Sequence, residues 1–256
     1  MHTFALKLLL TPTLIGLISL AGRRWGPAIS GLLVGLPLTS GPIAFFVALS
    51  QGTSFASATA MGTLAGTISQ AAFCIAYSRL AFRFHWITTV ILSSLVFIAS
   101  TLVLQSVNIP LGALYVLVIV FLILALRFTV RIKASSAPSK PLPGWDIPAR
   151  MIVATTYIIL LTSIAPLIGP HLTGLLSPFP LYATILAVFA HRLQGPSPAT
   201  KVLHGLVVGL FGFASFFLVL SGLLPQVGIA PAFAAAIVTV LTIQAAALWI
   251  LWRMVG

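Results

Sequence analysis

The sequence predicts an all-α integral membrane protein of about nine transmembrane helices, built as two inverted-topology four-helix repeats joined by one linker helix. Three observations predict it. Continuous apolar runs of roughly 20 residues follow one another along the chain, the length a helix needs to cross about 30 Å of hydrocarbon. Charged residues make up 5% of the 256 positions, where a soluble chain carries about a quarter. A stretch near the start recurs, without a gap, 143 positions later. A closed β-barrel is the other way to span a bilayer, but it needs short segments of alternating polarity.

In chain order the spans fall at 4–21, 27–49, 55–78, 86–105, 110–128, 149–168, 170–190, 200–222 and 228–250. Charged or Gly/Pro punctuation separates them: Gly22 to Gly26, Gln51-Gly52, Arg79 to His85, Asn108 to Pro110, Gly169-Pro170, Gln194 to Pro198, and Pro225. The first span has a cleavage-like end at Ser19-Leu20-Ala21. It is read as a membrane helix because Arg23-Arg24 follows directly and an equivalent span opens the second half. Residues 131–150, rich in Pro, Ser and Lys, form an irregular linker that holds the lone acid, Asp146, expected as a solvated ion-pair partner or helix cap.

The recurrence carries the architecture. Gly26-Pro27-x-x-x-Gly31-Leu32-Leu33-x-x-x-Pro37-Leu38 returns as Gly169-Pro170-x-x-x-Gly174-Leu175-Leu176-x-x-x-Pro180-Leu181. Gln51-Gly52 returns as Gln194-Gly195, Ser54 as Ser197, Ala56 as Ala199, Gly62 as Gly205 and Gly66 as Gly209. Roughly 15 identities over about 41 positions, carried largely by Gly, Pro and Gln, exceed chance apolar matching. Residues 1–106 form the first repeat, 107–148 the linker helix with its basic loop, and 149–256 the second repeat. Four spans plus one linker span precede the second copy, so it enters the bilayer from the opposite face. Lys7 and Arg150 occupy matching positions and illustrate the inversion.

Thirteen Lys and Arg against one acid give a net charge of +12. With the N-terminus outside and the C-terminus cytoplasmic, twelve of the thirteen fall inside: Arg23, Arg24, Arg79, Arg83, Arg127, Arg131, Lys133, Lys140, Arg150, Arg192, Lys201 and Arg253. Lys7 alone stays outside. The basic residues sit singly or in pairs at span ends, without a basic stripe or aromatic platform, so they read as topology signals and lipid-headgroup contacts rather than nucleic-acid contacts. Cys74 is the single cysteine, which excludes an intrachain disulfide.

Pro37 and Pro180 stand about eleven residues into equivalent spans, near the midplane. Proline removes a helix hydrogen bond and clashes with the preceding turn, so matched prolines predict discontinuous helices whose freed backbone groups need partners. With the hydroxyls around them, these define the candidate substrate site: Pro37, Thr39, Ser40, Ser177, Pro180, Tyr182 and Thr184. Gly62-x-x-x-Gly66 and Gly205-x-x-x-Gly209 are helix-packing motifs, and Gln70, Gln105 and Gln244 are expected to hydrogen-bond across helices. The five histidines show no ligand spacing, so neither a metal site nor a cofactor is expected. No Asp or Glu lies in any span, which opposes carboxylate-based coupling, metal carriage and acid-dependent hydrolysis. The expectation is a non-enzymatic permease, secondary transporter or lipid translocator for a small neutral or anionic substrate. The alternative is a non-transporting structural or accessory protein of the cell envelope. Oligomeric state stays open.

Ile29 to Gly52, with Gly31-Leu32-Leu33 and Pro37-Leu38 ahead of an apolar run ending in Gln51-Gly52, resembles the small GlpM-type inner-membrane proteins of bacteria, and Gly62 to Tyr77 would match their next span. Those proteins have about half this length, so the chain resembles two of them fused. The resemblance implies a bacterial inner-membrane location and a link to envelope physiology, and it transfers no catalytic residue.

Overall fold

The structure, a computed structural model, describes residues 7, 9, 11–17, 19–20, 35–129 and 145–255. The Gly26-Pro27 and Gly31-Leu32-Leu33 positions, Arg23, Arg24, Arg131, Lys133 and Lys140 lie outside these residues, as does the side chain of Asp146. The described residues of 7–20 are helical. Eight further helices follow: α1 (Ser40–Gln51), α2 (Thr53–Leu80), α3 (Trp86–Gln105), α4 (Leu111–Phe128), α5 (Asp146–Leu176), α6 (Leu181–Gln194), α7 (Pro196–Val227) and α8 (Ile229–Val255). Six of them (α2, α3, α4, α5, α7 and α8) are long and apolar enough to cross a bilayer. This is a multi-pass α-helical membrane protein.

Glycine and proline punctuate the helices where the sequence places them. Gly52 joins α1 to α2 at φ 86°, and Gly195 joins α6 to α7 at φ 93°, a region in which a side chain would be strained. At each joint the glycine N–H closes on the carbonyl four residues back, Ala48 at 3.1 Å and His191 at 3.0 Å. Two expected spans are not continuous helices among the described residues. The stretch 170–190 is the tail of α5, which bends at Gly169 (φ 79°), followed by a break and then α6. In 27–49 the described helix begins only at Ser40, after a break at 36–39.

Packing places α2 and α7 at the centre. Of their most apolar windows 72% and 67% are buried, against 22% for α3, α4 and α8. The central α2 is also the least apolar of the six, with mean hydropathy 1.2 against 2.6 for the lipid-facing α4. Its polarity is absorbed internally: Thr59, Thr63 and Thr67 each donate to the carbonyl four residues back, at 2.9, 2.9 and 3.1 Å. Large apolar side chains such as Leu102, Val103, Val116, Ile152, Leu167 and Val238 face outward. The Gly62-x-x-x-Gly66 motif works as a close-approach surface. A Cβ on Gly62 would stand 2.5 Å from the His171 carbonyl, and one on Gly66 2.6 Å from Pro178.

The long helices cross antiparallel. Ser57 Oγ donates to the Ser221 carbonyl (2.7 Å) and Ser221 Oγ donates to the Ser57 carbonyl (3.1 Å), tying the start of α2 to the end of α7. At the other end the Tyr77 hydroxyl lies 3.4 Å from His191 Nδ1, four residues before α7's Gly195 joint. The N-terminal helical residues run against α5 in the same sense: Lys7 Nζ donates to Thr162 Oγ1 at 2.7 Å, while Gly16 lies beside Met151.

Candidate functional site at the two proline breaks

The two proline breaks fold alike, bond for bond. Leu38 N–H donates to the Leu36 carbonyl at 2.8 Å, and 143 positions on Leu181 N–H donates to the Phe179 carbonyl at 2.7 Å. Each bond spans a three-residue inverse γ-turn centred on proline; Pro180 has φ −79° and ψ 54°. Gly41 N–H then reaches the Pro37 carbonyl at 2.8 Å, and Thr184 N–H the Pro180 carbonyl at 2.7 Å. With no N–H of its own, proline ends one hydrogen-bond ladder and lets a new helix begin. As a result, α1 starts inside the protein at buried Ser40, α6 starts at half-buried Leu181 with buried Tyr182 next, and neither N-cap residue makes a side-chain capping bond.

A cavity of about 20 Å³ lies between the breaks. Its lining contains five residue pairs at the 143-residue offset: Leu36 and Phe179, Leu38 and Leu181, Thr39 and Tyr182, Ser40 and Ala183, Gln70 and Phe213. Pro178, Pro180 and Leu206 complete much of the wall. Of the residues predicted from sequence, Thr39, Ser40, Pro180 and Tyr182 line the cavity. Pro37, Ser177 and Thr184 support it from behind: Pro37 and Pro180 accept the bonds just described, and the Ser177 carbonyl accepts Ser40 Oγ at 2.9 Å. Ser177 Oγ and Thr184 Oγ1 are buried without a hydrogen-bond partner.

Two residues at the cavity escape the sequence reading. Gln70, 5% exposed, lines the cavity with its Oε1 unpartnered instead of bonding across helices. Leaving such a group unpaired costs about 1–3 kcal/mol, so the site carries unused hydrogen-bonding capacity. Arg150, read as a topology signal, is 4% exposed. It donates from Nη1 to the Tyr182 hydroxyl at 3.0 Å and holds its guanidinium 4.8 Å from that ring's centroid. The same hydroxyl shares a 3.1 Å hydrogen bond with Ser19 Oγ. At the matching position Lys7 lies 5.6 Å from the Phe46 ring centroid. The signal that could have revealed both cations was their shared offset.

Chemically, the arrangement offers two helix N-termini, hydroxyls, an amide and a nearby guanidinium, and the chain's one acid, Asp146, is the first residue of α5. A second, larger cavity of about 390 Å³ opens where the α3–α4 loop meets the start of α2 and His171, with Gln105, Asn108 and Ile109 in its wall. No family model, curated protein or solved structure matches the chain.

Proposed function

We propose that the protein is a permease or lipid translocator for a small neutral or anionic passenger, built as two inverted repeats that exchange conformations about the cavity at Pro37 and Pro180. The observation that carries this reading is the cavity wall itself, made of five residue pairs related by one sequence offset. A site on a pseudo-two-fold axis can open to either face at similar energy, because each half can adopt the other's conformation. The antiparallel crossings of α2 with α7, and of the N-terminal helical residues with α5, are those an in-plane axis would generate.

The orientation we propose has the N-terminus outside and the C-terminus cytoplasmic, in a bacterial inner membrane, with the GlpM-type resemblance as the basis for that membrane. Supporting it, Arg79 Nε donates to the Phe128 carbonyl at 3.3 Å, so the basic ends of α2 and α4 share one face. The α3–α4 loop and His171 share the other.

The test is uptake into liposomes containing the purified protein, together with accessibility labelling at residues 2 and 256. Expected are saturable uptake of a neutral or anionic solute, reduced by Thr39→Ala or Ser40→Ala at unchanged abundance, and labels on opposite faces. Labels on one face would remove the inversion and the carrier with it.

The non-transporting accessory reading draws on one observation, the size of the cavity, which holds about one water-sized sphere. In the transport reading this is the occluded conformation, and the passenger enters only when one half swings away. Uptake separates the two.

A further inference from the structure

We propose that the passenger presents an anionic group, a carboxylate or a phosphate, and that Arg150 on one side of the cavity and Lys7 on the other are the cations that bring it in. This rests on the carrier reading for what happens to the anion, but not for its binding.

Four features point the same way. The guanidinium of Arg150 lies against the ring and hydroxyl of Tyr182, and Tyr182 lines the cavity. A buried guanidinium is costly in hydrocarbon and presents a fork that matches the two oxygens of a carboxylate or phosphate. The Tyr182 hydroxyl accepts from Arg150 and shares a hydrogen bond with Ser19 Oγ in which either oxygen can donate, so its own proton is available to an anion when one is present. Next, α1 and α6 both begin at the cavity without side-chain caps, so the positive ends of two helix dipoles converge there. Buried Gln70 adds to the same wall an amide whose oxygen has no hydrogen-bond partner. Its amide oxygen and nitrogen exchange places by a flip, so it can turn N–H donors to the cavity, beside the unpartnered hydroxyls of Ser177 and Thr184 at the same break. Finally, the chain's one acid, Asp146, is the first residue of α5, so no carboxylate lies deeper in the six long helices to repel an anion.

Lys7 gives the proposal its two-sidedness. It occupies the position matching Arg150, and its amine bonds Thr162, which is the position matching Ser19. Each cation is thus held by a hydrogen bond that connects the two halves, Lys7 to Thr162 directly and Arg150 to Ser19 through Tyr182. Swinging one half away would break both the Lys7–Thr162 and the Ser19–Tyr182 bonds, and would open Lys7 and the Tyr182 hydroxyl, with Arg150 still against it, to an anion.

The experiment measures equilibrium binding of radiolabelled inorganic phosphate, sulfate and acetate to the purified protein. It also measures their uptake, alongside neutral glycerol, into proteoliposomes, and flipping of a fluorescent phosphatidylglycerol. Expected is saturable binding of at least one of these anionic groups, weakened roughly 10-fold or more by Arg150→Gln and less by Arg150→Lys. Tyr182→Phe, which keeps the ring and removes the hydroxyl, and Lys7→Gln should each weaken binding several-fold; they carry the test if Arg150→Gln fails to fold. Soluble-anion uptake would identify a free solute, and phosphatidylglycerol flipping a lipid headgroup. Anion binding with neither uptake nor flipping would keep this inference and end the carrier reading. Glycerol uptake without anion binding would do the reverse. Binding indifferent to Arg150, Tyr182 and Lys7, or no binding at all, overturns the inference.

Discussion

The two halves of this chain share a backbone at the proline breaks and differ in almost every side chain that faces the cavity. The γ-turn and the bond that follows it agree to 0.1 Å between Leu36–Gly41 and Phe179–Thr184. Yet Thr39 faces the cavity where the other half has Tyr182, Ser40 where it has Ala183, and Gln70 where it has Phe213. Backbone geometry is held by what cannot vary without a clash, a missing proline N–H and glycines at close approach. Side chains at a cavity meet no such constraint, because a void tolerates many shapes. In the carrier reading we propose, the symmetry of the halves would serve motion and their asymmetry recognition.

The sharpest way to break that comparison is at the close approaches. A Cβ at Gly174 would collide with the Thr59 carbonyl and stand 2.7 Å from Gly62 Cα, all backbone atoms that cannot rotate aside. Gly174→Val should abolish folded protein, measured as loss of the monodisperse peak in detergent chromatography, with overpacking of at least about 3 kcal/mol as the cause. Gly112, with nothing within 4 Å of its would-be Cβ, is the control, and Gly112→Ala should change little. Survival of Gly174→Val would mean that α2 and α5 do not meet as described.

The next effect is functional. Pro37→Ala and Pro180→Ala each restore an N–H that lets the broken helix extend, and the double variant should lower uptake more than either single one, by roughly 10-fold or more at normal abundance. Equal losses in the singles would support two breaks of equal mechanical weight. A loss confined to Pro180→Ala would show that the halves have divided the labour.

Replacing Gln70 sharpens the recognition side. Its oxygen is buried and unpaired, so Gln70→Met, close in volume and apolar, should leave thermal stability unchanged or raised by about 1 kcal/mol. Substrate binding should weaken in the same variant. A gain in stability with a loss of binding is the signature of a polar group kept for a ligand. Reduced stability would instead place Gln70 in a structural hydrogen bond.

Much of the fold was legible in the residues. Apolar run lengths located α3, expected at 86–105 and found at Trp86–Gln105, because a lipid-facing helix is defined by hydropathy alone. Span ends at α2 and α7 were placed two to five residues short, because both helices run past their apolar windows. The breaks at Pro37 and Pro180 were readable from the repeat, and so were Thr39, Ser40 and Tyr182 beside them. Gln70 and Phe213 were not, since their place in the wall follows from how α2 and α7 cross, a tertiary fact without a local pattern. Arg150 was masked by a competing explanation: a basic residue at a span end satisfies the positive-inside rule whether or not it also reaches inward.

The smallest expected effect probes the same comparison at the basic end of the bundle. His191 stands where the first half has Ala48. Burial lowers the His191 pKa below the usual histidine value; positive charge on His85 lowers it further, and a hydrogen bond involving the Ala81 backbone opposes both. The unfolded chain therefore binds a proton at His191 more readily than the folded one does. Stability should be full above the ordinary histidine value, near 6.5, fall as the pH drops below it, and level off once the lowered folded value is passed. Because the site is partly exposed and solvent screens it, the change in unfolding temperature between pH 7.5 and pH 5 assignable to His191 should not exceed about 2 °C. His191→Gln should flatten that part of the pH profile in detergent-solubilised protein. An undiminished slope in the variant would assign the titration to another histidine, leaving this pair of positions, Ala48 and His191, electrostatically equivalent.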